Sequence, residues 1–84
     1  MDNKIDNRLR WKCRRGMLEL DILLQNFLED GFSSLARDDS KRFEQLLEYE
    51  DNPLFELLMD HMQPADPNMK HVIQSIQRAT LNKN

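Results

Sequence analysis

The chain has 84 residues, a formal net charge of −3 and one cysteine, which indicates a single small domain. A chain of this length buries only about two-thirds of the surface that its unfolded form exposes, so it has little room for a deep catalytic pocket. The lone cysteine excludes an intramolecular disulfide and a cysteine-rich metal site.

Membrane and export signals are missing from the sequence. No apolar run approaches the roughly 20 residues that a membrane-spanning helix needs. The first 15 residues contain no apolar stretch typical of a secretory signal. We therefore expect a cytoplasmic protein that does not insert directly into a membrane.

The charged residues are segregated along the chain. Six of the twelve lysines and arginines lie between Lys4 and Arg15, whereas twelve acids and only three bases lie between Glu19 and Asp60. A basic end on an acidic body indicates two electrostatic faces. Ordinary solvated helix surfaces would give the same pattern.

Caps, breakers and apolar spacing predict five helices. The first runs from about Asn7 to Arg15, with Asp6 or Asn7 as its N-cap and Gly16 as its stop. The second covers about residues 17–29, and its three- and four-residue apolar spacing makes one stripe. That stripe comprises Leu20, Leu23, Leu24, Phe27 and Leu28.

A short connector with a single turn is predicted over residues 32–37. The third helix then begins at Asp38 or Asp39 and runs to about Tyr49, and acids at its start suit the helix dipole. Its inward residues are Phe43, Leu46 and Leu47.

Strong start signals mark the last two helices. Asn52 is a good N-cap and Pro53 fits the first position of the fourth helix, whose apolar residues extend to Met62. Asp66-Pro67 repeats the same signal for the fifth helix. The inward residues of these two helices are Leu54, Phe55, Leu57, Leu58, Met69, Val72, Ile73 and Ile76.

The predicted fold is an all-α, compact five-helix bundle in a single domain. No segment has the alternating pattern of a strand, and the prolines and glycines lie at joints between helices. Flexible tails are expected over about residues 1–6 and 81–84.

Few residues are suited to catalysis. His61 and His71 are the only histidines and lie on different predicted helices, so we expect surface positions for them and no metal site. Cys13 has three cationic neighbours that would lower its pKa. It lacks an identifiable base, however, and a packing role is predicted. Neither glycine belongs to a phosphate-binding loop, so we expect no enzyme and no stably bound cofactor.

The most informative segment is residues 11–21, WKCRRGMLELD. Gly16 lies between two predicted helices, where glycine adopts a left-handed conformation at little cost and its bare backbone lets a partner approach closely. Arg15 and Glu19 flank it four residues apart, and Asp21 is a further acid nearby. Spacing alone equally fits a helix-capping glycine beside an ordinary surface charge pair.

This segment resembles the RGxxE signature of the succinate dehydrogenase assembly factor family, the flavinylation factors of bacteria and mitochondria. The motif here is Arg15-Gly16-Met17-Leu18-Glu19. A second family-like block comprises Leu46-Leu47-Glu48, Asp51-Asn52-Pro53-Leu54-Phe55, Leu58-Met59 and Pro64-Ala65-Asp66. Together these features cover about residues 8–76, and the family's five-helix bundle agrees with the predicted fold. One departure is Leu57, where relatives often carry a tryptophan, which puts an aromatic contact from this helix in doubt.

The resemblance implies a binding protein rather than an enzyme. Its client would be the flavoprotein subunit of succinate dehydrogenase and, in many bacteria, that of the related fumarate reductase. FAD and the histidine to which it becomes covalently joined would both belong to the client, whose domains the factor holds in a favourable arrangement. We expect the protein to be monomeric when free and to bind no nucleic acid.

The resemblance also assigns partner-binding residues, which are Arg8, Trp11, Arg14, Arg15, Gly16, Glu19, Asp21 and Asp51. Gly16 would let the corner enter a cleft of the client, where Arg15 would make charge-assisted hydrogen bonds. Glu19 and Asp21 would pair with client cations or hold the arginine in place. Trp11 would anchor the surrounding basic patch unless it belongs to the core. The aspartate of the second block would line the same surface unless it caps a helix.

Two other functions are compatible with the sequence. The basic first helix would suit a small nucleic-acid-binding module, although the acidic remainder would repel a polyanion and no familiar nucleic-acid motif is present. An antitoxin-like partner of a toxin would also be a binding protein and would differ only in its client.

Overall fold

The computed structural model describes residues 5–81, in which the chain forms five α-helices and no strand. The helices are α1 (Asn7–Lys12), α2 (Leu18–Asp30), α3 (Arg37–Leu46), α4 (Asp51–Leu58) and α5 (Met69–Leu81). The radius of gyration is 11.6 Å, close to the roughly 12 Å expected of a compact domain of this length. The predicted all-α, five-helix, single-domain fold is therefore confirmed.

α5 is the helix that the other main helices pack against. It packs against α2, α3 and α4, and its contact with α2 is the most extensive between any two helices. Every residue that the apolar spacing predicted to point inward is buried, except Phe55, which packs half-buried against the core. The three- and four-residue spacing of leucines on α2 and of Met69, Val72 and Ile76 on α5 makes this interface possible.

Three phenylalanines form the aromatic part of the core. The ring centroids of Phe27 and Phe43 are 4.9 Å apart, those of Phe32 and Phe43 5.5 Å, and those of Phe27 and Phe32 6.3 Å. These separations lie in the range favourable for tilted and edge-to-face aromatic pairs. Phe32 belongs to the predicted connector, where residues 32–34 form a single 3₁₀ turn. The connector is therefore part of the core.

α1 begins as predicted and ends early. Its N-cap is Asp6, whose Oδ1 accepts the backbone N–H of Leu9 at 2.8 Å. The helix ends at Lys12, three residues short of the predicted end, and Gly16 is not its stop. The backbone N–H of Arg15 donates to the Asp21 carboxylate at 3.4 Å instead of to a carbonyl one turn back, so the helical pattern is broken there.

α3 is displaced toward the N-terminus relative to its prediction. It begins at Arg37 after an Ala36 cap and ends at Leu46, with Leu47 as the C-cap. The next two backbone N–H groups, of Glu48 and Tyr49, donate three residues back, at 3.1 Å each. Hydrogen bonds to the third residue back tighten the last turn of a helix, and the chain leaves the helix after this turn.

The predicted cap of α4 is wrong. The N-cap is Glu50, without a side-chain hydrogen bond, and Asp51 is the first helical residue, so Asn52 and Pro53 occupy the second and third positions. Proline is tolerated there because N–H groups of the first turn have no intrahelical partner. Met62, the last apolar residue predicted for this helix, lies beyond its end and is exposed.

α5 begins at Met69, just after its predicted start signal. Asp66 and Pro67 form the preceding turn, in which Asp66 Oδ1 accepts the backbone N–H of Asn68 at 2.9 Å. No helix within residues 5–81 has the length and apolarity required to cross a bilayer. The predicted flexible tails fall largely on residues 1–4 and 82–84, which lie outside the described part of the chain.

Candidate functional site

The Arg15 side chain is the centre of a hydrogen-bond network at the corner between α1 and α2. Its Nε donates to Asp51 Oδ1 at 2.9 Å. One terminal nitrogen donates to the backbone carbonyls of Lys12 at 3.0 Å and Leu47 at 3.1 Å, and the other donates to the carbonyl of Tyr49. Only 12% of the side chain is exposed, and four of its five N–H donors form hydrogen bonds within the protein.

The groups that Arg15 contacts belong to three helix ends. The Lys12 carbonyl is at the end of α1, those of Leu47 and Tyr49 follow α3, and Asp51 is the first residue of α4. Carbonyls at a helix C-terminus lack intrahelical donors and carry partial negative charge, so a cation is favourable there. Arg15 therefore fixes three helices relative to one another. The guanidinium faces inward in this structure, and contact between Arg15 and a client stays a prediction.

Gly16 is the next residue and lies on the surface. Its φ is not positive, so the predicted left-handed conformation is wrong. A Cβ added at Gly16 would have Asp51 Oδ2 as its nearest neighbour, at 3.5 Å, which is an ordinary van der Waals distance. The fold therefore does not require glycine at this position. The absence of a side chain leaves bare backbone on an otherwise well-fixed corner.

Glu19 and Asp21 have different surroundings although both lie in the first turn of α2. Asp21 accepts the Arg15 backbone N–H and lies 3.5 Å from Arg14 Nε, so it holds the corner loop. Glu19 is exposed and makes no salt bridge within residues 5–81. The expected Arg15–Glu19 pair is absent, and the Arg15 side chain is held by Asp51 instead. Glu19 remains available to a partner.

The basic residues of α1 surround an exposed aromatic side chain. Trp11 is 78% exposed, which rules out the core position left open by the sequence. The side chains of Arg8 and Arg14 are also mostly exposed, and each lies at the edge of ion-pair distance from an acid, Glu44 at 3.8 Å and Asp21 at 3.5 Å. Such exposed pairs contribute little to stability. The predicted basic patch around Trp11 thus exists as a solvent-accessible surface.

Asp51 does not cap α4, and its side chain contacts the corner at Gly16. It lies in the first turn of α4, where a negative charge suits the helix dipole, although Glu50 is the cap. Its Oδ1 binds Arg15, and its Oδ2 faces Gly16. The two sequence blocks, separated by 36 residues, therefore meet at this carboxylate. Leu57, the residue that departs from the family pattern, is fully buried and contributes to the core.

Cys13 and the two histidines have no catalytic setting. Cys13 is completely buried, as its predicted packing role requires. Burial raises the pKa of its thiol to about 12, against the opposing effect of the Arg15 charge, so the expected lowering is wrong. His61 and His71 are exposed and lie 3.3 Å and 3.0 Å from the acids Glu56 and Asp39. Residues 5–81 contain no group of three or more side chains that would hold a metal ion.

Sequence reasoning missed part of this surface. Leu18 and Ile22 are exposed, at 69% and 49%, and lie four residues apart on α2. Their signal was present in the sequence, because both fall outside the inward-facing stripe of the helix. The carbonyls of Leu47 and Tyr49 were missed because a backbone acceptor leaves no trace in residue type.

Comparisons with known proteins find a family model and individual relatives that match this chain. A family model described as flavinator of succinate dehydrogenase matches residues 7–80. The chain is 46% identical over 71 residues to the FAD assembly factor SdhE of Coxiella burnetii, covering 84% of this chain and 87% of the relative. It is 46% identical over 82 residues to SdhE of a Serratia species, covering 95% and 91%. With SdhE of Legionella pneumophila it shares 48% identity over 64 residues, covering 76% and 81%.

The matched range, residues 7–80, contains Arg15, Gly16 and the second sequence block. The relatives are matched over most of their own length, so the similarity concerns whole domains and not a shared fragment. The chain therefore belongs to the family of flavinators of succinate dehydrogenase.

Proposed function

We propose that this protein binds the flavoprotein subunit of succinate dehydrogenase and promotes covalent attachment of FAD to it, without being an enzyme itself. The family and the relatives named FAD assembly factor support this role. The observation that carries it is the Gly16 corner, where an exposed glycine that the fold does not need lies on a rigid support. A residue kept bare without a folding reason is suited to close contact with a partner.

The rigid corner explains how the protein accelerates a reaction in which it takes no chemical part. The reacting histidine and the flavin belong to the client, and residues 5–81 contain no group of side chains that would hold a catalytic metal ion. Holding reacting groups close and aligned lowers a barrier by several kcal/mol, on the order of what effective molarities imply. Arg15 and Asp51 keep the docking surface in one shape, so that the client's domains adopt one relative arrangement upon binding.

The exposed residues have separate roles in docking. Gly16 permits backbone approach, Glu19 pairs with a cation of the client, and Trp11 supplies an aromatic anchor with Arg8 and Arg14 at its rim. Asp21 and Asp51 act from beneath by holding the corner loop and Arg15. This assignment moves Arg15 from the contact surface to its support.

The basic end supports a protein partner better than a nucleic acid. Arg8, Lys12, Arg14 and Arg15 each pair with an acid, at 3.8, 3.3, 3.5 and 2.9 Å. These pairs reduce the positive field that a phosphate backbone requires. We further propose that the related fumarate reductase flavoprotein is a second client, that the free protein is a monomer, and that FAD stays with the client. A single buried thiol is compatible with the reducing cytoplasm that we propose as its location.

The proposal is tested by the fluorescence of covalent flavin in the denatured client subunit, from cells with and without this protein. We expect the signal to fall without the protein and to return with the wild type and with Gly16→Ala, whose Cβ fits. Gly16→Arg should fold and fail to restore it, because a long side chain occupies the docking site. An unchanged signal in cells lacking the protein would contradict the proposal. Unfolding of Gly16→Arg would instead make Gly16 a structural residue.

A further inference from the structure

A second feature of the basic end is an open groove of about 310 Å³ beside Trp11. It lies away from the Arg15 network and is lined by Asn7, Arg10, Trp11, Arg14 and Gln25. Two of these residues are cations and none is an acid. The groove therefore has a positive wall at one edge of an aromatic ring.

Gln25 places a buried donor in this wall. Its Nε2 is inaccessible to solvent and has no hydrogen-bond partner among residues 5–81. A buried polar atom is nearly always paired in a native protein, so an unpaired one points to a partner that binds there. Because Gln25 also lines the groove, a rotation of its side-chain amide would bring this donor to an acceptor that enters the groove.

The remaining polar groups of the groove also favour an acceptor. Arg10 is exposed and makes no salt bridge within residues 5–81, and Arg14 makes a single long contact, 3.5 Å to Asp21. The indole N–H of Trp11 is a further donor on a side chain that is 78% exposed. Arginine and amide donors together match the two oxygens of a carboxylate.

An apolar strip continues from the groove along α2. Leu18, Ile22 and Gln25 are spaced by four and three residues, so they share one face of the helix. Leu18 and Ile22 are both largely exposed on that face. A partner that reaches Gln25 therefore also contacts the aliphatic side chains of Leu18 and Ile22.

We propose that the groove receives an aspartate or glutamate side chain from a segment of the client flavoprotein, whose neighbouring apolar residues lie on Leu18 and Ile22. This inference rests on the proposed function and adds a second contact region to the Gly16 corner. Arg10, the Gln25 amide and the indole N–H of Trp11 bind the carboxylate. Charge complementarity selects an acidic segment, because Arg10 makes no salt bridge with any acid in the described part of the chain, residues 5–81.

The test uses the fact that Trp11 is the only tryptophan of the chain. Protein labelled with 5-fluorotryptophan gives one ¹⁹F resonance, which is followed while the purified flavoprotein subunit is added, and Kd is measured in parallel. We expect the resonance to shift upon binding. Arg10→Glu and Gln25→Met should each raise Kd about tenfold, which is the loss of one hydrogen bond to a charged group. Lys70→Glu, the same charge change on α5, should leave Kd unchanged.

Thermal unfolding separates binding from folding in these variants. Gln25→Met removes an unpaired donor, so its Tm should not fall. Wild-type Kd in both groove variants together with an unshifted ¹⁹F resonance would overturn the groove and leave the proposed function intact. Absence of any wild-type binding would overturn the proposed function and the inference together. A mixed-sequence single-stranded oligonucleotide is the final probe. If it displaces the flavoprotein and shifts the same resonance, the groove is a nucleic-acid site and the proposal is overturned.

Discussion

Arg15 Nε lies 2.9 Å from Asp51 Oδ1, and this contact joins the loop after α1 to the first turn of α4. The same guanidinium also binds carbonyls at the ends of α1 and α3. One side chain therefore supports the exposed surface formed by Gly16 and Glu19. Within the motif, Arg15 is therefore a support, whereas Gly16 and Glu19 form the contact surface.

Replacing Arg15 should destabilise the fold. In Arg15→Met the Asp51 carboxylate and three backbone carbonyls lose a charged donor, so the free energy of unfolding should fall by about 3 kcal/mol. Urea unfolding measures it. Arg10→Met is the matched control, because Arg10 is exposed and makes no salt bridge within residues 5–81, and it should stay within about 0.5 kcal/mol of wild type. Equal stability of the two variants would show that the network contributes nothing.

The two glycines should respond in opposite ways to alanine. A Cβ at Gly31 would lie 2.8 Å from two atoms of the Phe27 ring, and overpacking of this kind costs about 1–3 kcal/mol. At Gly16 the nearest atom is at 3.5 Å, so Gly16→Ala should be neutral or slightly stabilising. Thermal unfolding of both variants makes the comparison. A lower Tm for Gly16→Ala than for Gly31→Ala would contradict the packing described above.

Glu19→Ala should impair docking without harming the fold. Glu19 is the second residue of α2 and makes no salt bridge within residues 5–81, so its loss should change unfolding by about 0.5 kcal/mol or less. Client binding should weaken about tenfold through the loss of one charge-assisted contact. Asp38→Ala is the control, since Asp38 is the second residue of α3 and is equally exposed. If both variants bind the flavoprotein like the wild type, Glu19 has no place in the interface.

Cys13 should make stability depend on pH in alkaline solution. Burial raises the pKa of its thiol from 9.0 to about 12. Above pH 9 the unfolded chain loses the thiol proton while the folded chain keeps it, so stability should fall as the pH rises from about 9 toward 12. Cys13→Ala lacks this group, so its denaturation midpoint should fall less steeply over that range. Identical slopes for both proteins would contradict the raised pKa.

The helices were predictable because their signals are local. The apolar spacing of α2 and α5 and the Asp6 cap depend on residues within one or two turns, and these predictions are confirmed. The start of α4 was predicted wrongly. Asn52-Pro53 is a sound local start signal, but the helix begins earlier, with Asp51 as its first residue. That carboxylate serves both the helix dipole and an arginine 36 residues away.

The candidate site residues lie together in the structure, but their geometry differs from what the sequence suggested. Trp11, Gly16 and Glu19 are exposed as docking residues should be, and Asp51 lies next to Gly16 as the two blocks suggested. The inward orientation of Arg15 was unpredictable, because three of its four acceptors are backbone carbonyls brought close only by the packed bundle. The groove at Gln25 likewise needs α1 and α2 in place before it exists.

Because Arg15 and Asp51 are 36 residues apart, one short segment of the chain cannot reproduce this surface. A synthetic peptide of residues 11–21 would carry the whole RGxxE string yet lack the second block, and its arginine would remain hydrated and free to rotate. Such a peptide should therefore compete only weakly with the whole protein for binding to the client. An inhibitor or engineered factor built on this motif must therefore import both blocks, together with the α3–α4 junction that presents the carbonyls.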